Sequence, residues 1–178
     1  MTPLSCPSIN ALVLRRNSSF ILGSSKKVEA AIRDLAARFA DAATRADYET
    51  IRSLFIPDAV FTIGEPFAVT CKGIDEIVAL IHKLRDGKDF FVEFVHSGLI
   101  ELDGNTASAR WLLREVCLGP AKSGPGKSYY NQFGFFIDEL EKVDGKWLFK
   151  TRTYPYLYLD TDPFTGKGVA LNADISYT

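Results

Sequence analysis

Apolar residues in the early part of the chain recur every three or four positions. Val28, Ile32, Leu35, Phe39 and Ala43 share one face between Lys26 and Arg45, the spacing of an amphipathic helix. Ser25 stands where an N-cap is expected. Asp47 is placed to cap a short second helix, with Ile51, Leu54 and Phe55 facing inward until Pro57 and Asp58 stop it. Ile74, Ile77, Val78, Ile81 and Leu84 repeat the helical period between Gly73 and Gly87. Elsewhere the period drops to two. Ala59–Gly64 and Phe67–Cys71 predict a short hairpin about Glu65-Pro66. Phe90–Leu102, Thr106–Leu118, Tyr129–Val143 and Lys146–Tyr158 predict four long strands. Asp103-Gly104 and Asp144-Gly145 separate these strands, and Asp-Gly tolerates the positive φ of tight hairpin turns. Helices followed by a meander of strands predict an α+β domain with the helices on one sheet face.

Composition narrows the class without naming a reaction. The 178 residues suit one domain, and 47% hydrophobic with 24% charged residues is ordinary for a globular chain. Thirteen Phe and seven Tyr are enough to build a thick core or line a cavity. A net charge of −1 gives no electrostatic reason to expect nucleic acid, and no apolar run is long enough to span a bilayer. The three cysteines, Cys6, Cys71 and Cys117, are far apart and form no metal-binding spacing, which fits reduced thiols in the cytoplasm and no bound metal. Residues 1–28 carry no acid but four basic residues. They read as an N-terminal arm over 1–25, and mitochondrial import is the alternative. Residues 26–160 form the expected domain and 161–178 a surface tail.

The stretch Ala121-Lys122-Ser123-Gly124-Pro125-Gly126-Lys127-Ser128 fits a permissive phosphate-loop pattern. A true phosphate loop opens a helix, whereas Tyr129-Tyr130-Asn131-Gln132-Phe133 reads as strand, so a hairpin loop is expected.

The runs Ile32–Tyr48, Leu54–Phe61 and Lys72–Ile74, with Leu102–Trp111 and Val143–Phe149, resemble the SnoaL-like group of the nuclear-transport-factor-2-like superfamily. That superfamily includes scytalone and bile-acid dehydratases, ketosteroid isomerase, polyketide cyclases and limonene epoxide hydrolase, as well as members without chemistry. The resemblance implies a cone: a curved antiparallel sheet wrapped on the long first helix, with two further helices, as an α+β barrel. It implies a pocket between that helix and the concave sheet, and cofactor-free acid–base chemistry on small apolar ring compounds of polyketide or steroid type. It also implies homodimers or homotrimers formed through the sheet.

Carried over by position, the family's catalytic residues change identity. Its helix-one Tyr falls on Phe39 and its Asp on Thr44. Its strand histidines fall on Glu93 and His96, a third on Trp111, an asparagine near Phe136 and an arginine near Tyr156. The usual Asp-His dyad is therefore missing. What remains is a greasy cavity lined by Phe39, Thr44, Tyr48, Ile63, Val95, Trp111, Phe136 and Tyr154, with Glu93 as its carboxylate. Burial raises a carboxyl's pKa and suits it to proton transfer near neutral pH. Glu93 is thus the first candidate acid–base residue and His96 the second, although alternation points His96 outward unless the register slips. Tyr156 or Tyr154 would donate to a substrate oxygen. Three alternatives stay open: Glu93 paired structurally with Arg152, a binding protein without chemistry, and a cone filled by its own side chains.

Overall fold

The computed structural model describes residues 10–120 and 125–162, with side chains from residue 25 onward. The order is α1 (Asn10–Arg45), α2 (Tyr48–Ser53), β1 (Phe55–Ile63), β2 (Val69–Lys72), α3 (Ile74–Arg85), β3 (Phe90–Asp103), β4 (Thr106–Pro120), β5 (Lys127–Val143), β6 (Lys146–Tyr154) and β7 (Tyr156–Asp160). The six principal strands run β2-β1-β6-β5-β4-β3 across one sheet, with β7 also paired to β5. The sheet curves around α1 without closing, so the cone is open rather than a barrel. β1 pairs parallel to β6, which makes the sheet mixed where an all-antiparallel one was expected. No described helix is long and apolar enough to cross a membrane.

α1 begins at Asn10, not Lys26, so Ser25 is an interior helical residue and its hydroxyl bonds Glu29 Oε1 at 3.3 Å. The leading stretch contains Ala, Leu and Arg, which favour helix, and has no Pro to stop it. Its inner stripe is Ile32, Leu35, Ala36, Phe39 and Ala43, all buried. The helix ends as its pattern dictates. Ala46 takes φ 57°, its N–H bonds Ala43 O, and the N–H of Asp47 reaches back to Ala42 O at 2.9 Å. Asp47 then caps α2 as expected, accepting from the Thr50 N–H at 3.0 Å. These bonds from Thr50 hold the Asp47 carboxyl below its usual range.

The two Asp-Gly pairs differ. Asp144 and Gly145 both have positive φ, 50° and 83°, and occupy the two central positions of a type I′ turn. Asp103 instead pairs with Thr106, leaving Gly104, at φ 60°, as the first central residue. Some expected assignments also shift. Phe55 belongs to β1, not α2, and the strand passes through Pro57 where its pairing with β6 is irregular. The last strand breaks at Pro155, which lacks a ladder N–H, and β7 continues on β5. Leu84 is exposed rather than part of the α3 stripe.

The register of β3 against β4 slips between Val95 and Gly98. Below the slip, odd-numbered Phe91, Glu93 and Val95 face α1; above it, even-numbered Gly98, Ile100 and Leu102 do. Gly98 is required there. A Cβ at this position would lie 2.4 Å from both Arg110 O and Trp111 Cε3.

Candidate active site

Three polar side chains form a row across the concave face. Glu93 stands directly opposite Glu115 on β4, and Glu115 stands opposite Gln132 on β5. All three are buried. The Tyr130 hydroxyl donates to Glu115 Oε1 at 2.6 Å. Thr44, at the end of α1, accepts the Glu93 backbone N–H at 3.1 Å and ties the helix to this strand. Arg85 of α3 donates to the carbonyls of Ala43 and Thr44, fixing the helix end over the row.

Two carboxyls side by side in a buried site do not both ionise easily. Burial pushes the Glu93 carboxyl up to about 8, helped by the neighbouring Glu115 charge and opposed by Arg152. Burial also raises Glu115, to about 7, but hydrogen bonds from Tyr130 and Gln132 hold it lower. The same burial and the Glu115 charge push the hydroxyls of Tyr130, Tyr154 and Tyr156 far above the ordinary phenol range, so all three are donors at neutral pH.

Arg152 is not the partner of Glu93. It is fully buried and held by Asp138, with Nε bonding Oδ1 at 2.7 Å and Nη2 bonding Oδ2 at 2.8 Å. Trp111 Nε1 donates to the same Oδ2 at 2.8 Å. The guanidinium lies 3.8, 4.0 and 4.3 Å from the ring centroids of Phe149, Phe136 and Phe39.

The residues expected to line an open pocket lie in three places. Phe39, Ile63, Trp111, Phe136 and Tyr154 are at most 5% exposed and belong to one core cluster, with Phe39 and Phe136 centroids 5.6 Å apart. Val95 is half-buried beside Leu113. Tyr48 contacts the His82 ring at 4.7 Å and stands at the rim. His96 is exposed on the outer sheet face, its ring 6.5 Å from that of Phe94, because it lies an odd three positions after Glu93 on a strand of period two. It cannot reach the Glu93 carboxyl. Tyr156 is half-buried, stacked on Tyr154 at 4.5 Å and touching Phe67 at 5.3 Å, near Gln132 and Glu115. These rings lead from exposed Phe67 inward to Phe136.

Glu115, Gln132 and Asp138 were not singled out by sequence as site residues. Counting back from the Asp103-Thr106 pair places Glu93 opposite Val116; only the bulge shifts it to Glu115. Among the described residues no group of three His, Cys, Asp or Glu side chains is arranged to hold a metal. A separate cleft of about 420 Å³ lies at the far end of the sheet, lined by Glu101, Asp103, Ser108, Glu139 and Lys150 among others. It contains none of the buried carboxyls with raised pKa.

A family model described as SnoaL-like domain matches residues 26–153. No curated protein matches the sequence. Among solved structures, LinA is 23% identical, with 83% of this chain and 97% of LinA covered and a TM-score of 0.67. A provisionally assigned scytalone dehydratase from Novosphingobium aromaticivorans is 14% identical, with 83% and 99% covered and a TM-score of 0.69. The type-3 hexachlorocyclohexane dehydrochlorinase from Novosphingobium barchaimii is 19% identical, with 83% and 97% covered and a TM-score of 0.65. At these identities the likeness carries the fold and not the reaction.

Proposed function

This chain belongs to the SnoaL-like domain family, and from that footing we propose that it is a cofactor-free acid–base enzyme, a lyase, isomerase or cyclase, acting on a small apolar ring compound inside the cone. One observation carries the reading: Glu93 and Glu115 are buried cross-strand neighbours. Such a pair holds one proton between its members near neutral pH. Glu115 receives the Tyr130 hydrogen bond and keeps the negative charge. Glu93 Oε1 has no partner, and this carboxyl keeps the proton. A base and an acid therefore sit side by side on one face.

That arrangement suits elimination. Glu115 takes a proton from a ring carbon, a double bond forms as the carbon–oxygen bond breaks, and Glu93 protonates the departing oxygen to release water. The proton on Glu115 then returns to Glu93. An isomerisation uses the same pair to remove a proton at one carbon and return it at another. Dehydratase and dehydrochlorinase, the names borne by the structural relatives above, are both eliminations. Tyr156, on the short strand β7 between exposed Phe67 and buried Tyr154, stands on the side from which the ring would enter.

The test uses a panel of hydroxylated and keto ring compounds in D2O, with water loss and deuterium uptake read by mass spectrometry. Wild type is expected to turn over at least one member. Glu115→Gln is expected to lower that rate about 10²–10⁴-fold while keeping the fold. Binding of panel members with no turnover by wild type supports instead a binding protein. That second reading is favoured by Phe39, Thr44 and Trp111 standing where the family resemblance places Tyr, Asp and His. Turnover that survives both Glu93→Gln and Glu115→Gln contradicts the assigned roles.

A further inference from the structure

We propose that the ring compound carries a carboxylate, and that Lys88 receives this group at the end of the cone where β3 begins and β4 ends. The slot for Lys88 is built into β4. Glu115 and Cys117 point to the inner face, and Gly119 is the next position of that alternation. A Cβ at Gly119 would lie 2.8 Å from Lys88 Cδ, 3.4 Å from its Cα and 3.6 Å from its Nζ. The lysine therefore folds across the inner face, through space that a side chain on β4 would fill. Its ammonium rests against the strand instead of extending into water.

The backbone that carries Lys88 is fixed. The Asp89 N–H donates to Leu118 O at 2.9 Å and the Lys88 N–H to Arg85 O at 3.3 Å. The Asp89 carboxylate pairs with Lys127 at the start of β5. Lys88 is half-buried, yet among the described residues its ammonium has no carboxylate partner. Arg85, the second cation at this end, lies over the Phe91 ring at 4.9 Å and donates to the Ala43 and Thr44 carbonyls. Both charges act on Cys117, and Lys88 also acts on Glu115. The Cys117 thiol and the Tyr48 and Tyr130 hydroxyls are pushed up by burial and stay neutral at pH 7. Asp86 is exposed at the end of α3. Glu115 accepts from Tyr130 and stands four positions from Gly119, about 13 Å along the strand.

Chemistry selects the ligand. A lysine ammonium is a compact charge with three donors and no acceptor. Half desolvated and unpaired, it is completed by an anion. A single charge matches a carboxylate better than a phosphate, because the Arg85 fork that would grip a phosphate already holds two carbonyls. The span from Gly119 to Glu115 suits an acid of one or two rings, with its carboxylate on Lys88 and its ring toward Glu93 and Glu115. This deepens the acid–base reading and rests on it for the reaction, whereas the binding stands without it.

Isothermal titration of the wild-type protein with 2-naphthoate and its neutral isostere 2-naphthamide tests the site. The acid is expected to bind about five-fold more tightly at low salt, the scale of a partly exposed charge pair. That preference is expected to shrink at high salt. Lys88→Met, which keeps the apolar stem, is expected to erase it. In wild type, the backbone amide resonances of Lys88 and Gly119 are expected to move further with the acid than with the amide. Equal binding of acid and amide, binding of neither, a preference that survives Lys88→Met, or unmoved Lys88 and Gly119 resonances would each overturn the site. Preferred binding of the acid, with no turnover or deuterium uptake by any ring compound, leaves the site standing and removes the enzymatic reading.

Discussion

Asp138→Ala is expected to destabilise the protein by about 3–5 kcal/mol, the cost of leaving a buried charge without its partner. Arg152 has no exposed surface, and among the described residues its side chain hydrogen-bonds to Asp138. Removing the carboxylate strands the guanidinium among three phenyl rings, and Trp111 Nε1 loses its acceptor as well. Against a total of roughly 5–15 kcal/mol for a typical domain, much of the stability goes. The ion pair itself does not carry that energy, because both charges lost their water on burial. Asp138→Leu combined with Arg152→Met is therefore expected to recover most of the loss. Urea unfolding at constant slope measures both variants. A single-variant loss under about 1 kcal/mol, against the range expected for a buried pair, would show that water or another side chain takes over the Asp138 role.

The second large effect is on pH. The folded-state pKa values of Glu93 and Glu115 are raised above their ordinary 4.5, to about 8 and about 7. The folded protein therefore binds more protons than the unfolded chain between about pH 4.5 and 8. The stability that these protonated carboxyls contribute is full below pH 4.5 and is lost as pH rises through 7 and 8. At about 1.4 kcal/mol per pH unit for each proton, the fall is on the order of a few kcal/mol. Asp47 has the opposite sign: its carboxyl is lowered by Thr50, so its contribution is present above its unfolded value and lost in acid. Thermal unfolding from pH 5 to pH 9 is expected to show a steadily falling Tm. The double variant Glu93→Gln, Glu115→Gln is expected to flatten that fall. A flat wild-type profile would mean that the carboxyls stay ionised in the folded protein.

Much of the fold was legible in local pattern. The α1 stripe, the Asp47 cap, the α3 period and the two hairpin turns follow from spacing and from the φ that Asp and Gly tolerate. What was not legible depends on distant partners. Nothing near Phe55 announces that it will pair with Phe149 on a parallel strand. Pro155 looks like strand interior until the ladder shows that β6 and β7 divide there. The site was half legible. Glu93 stood out as the carboxyl at an inward family position, and its burial agrees with that placement. Its partner did not, because a bulge near His96 and Ser97 changes the strand's parity, and the lone Gly98 beside it signals a bulge without fixing the new register. Arg152 and Asp138 sit in ordinary alternating runs, and only the register of β5 against β6 sets them opposite each other.

The most direct measurement is a ¹³C NMR titration of the side-chain carboxyls of Glu93 and Glu115, assigned with Glu93→Gln and Glu115→Gln. A buried pair that shares one proton should titrate in two coupled steps, near 7 and near 8, with the second step, that of Glu93, moved toward lower pH when Glu115 becomes Gln. Two carboxyls that both lose their protons near 4.5, each unaffected by replacing the other, would contradict the acid–base site.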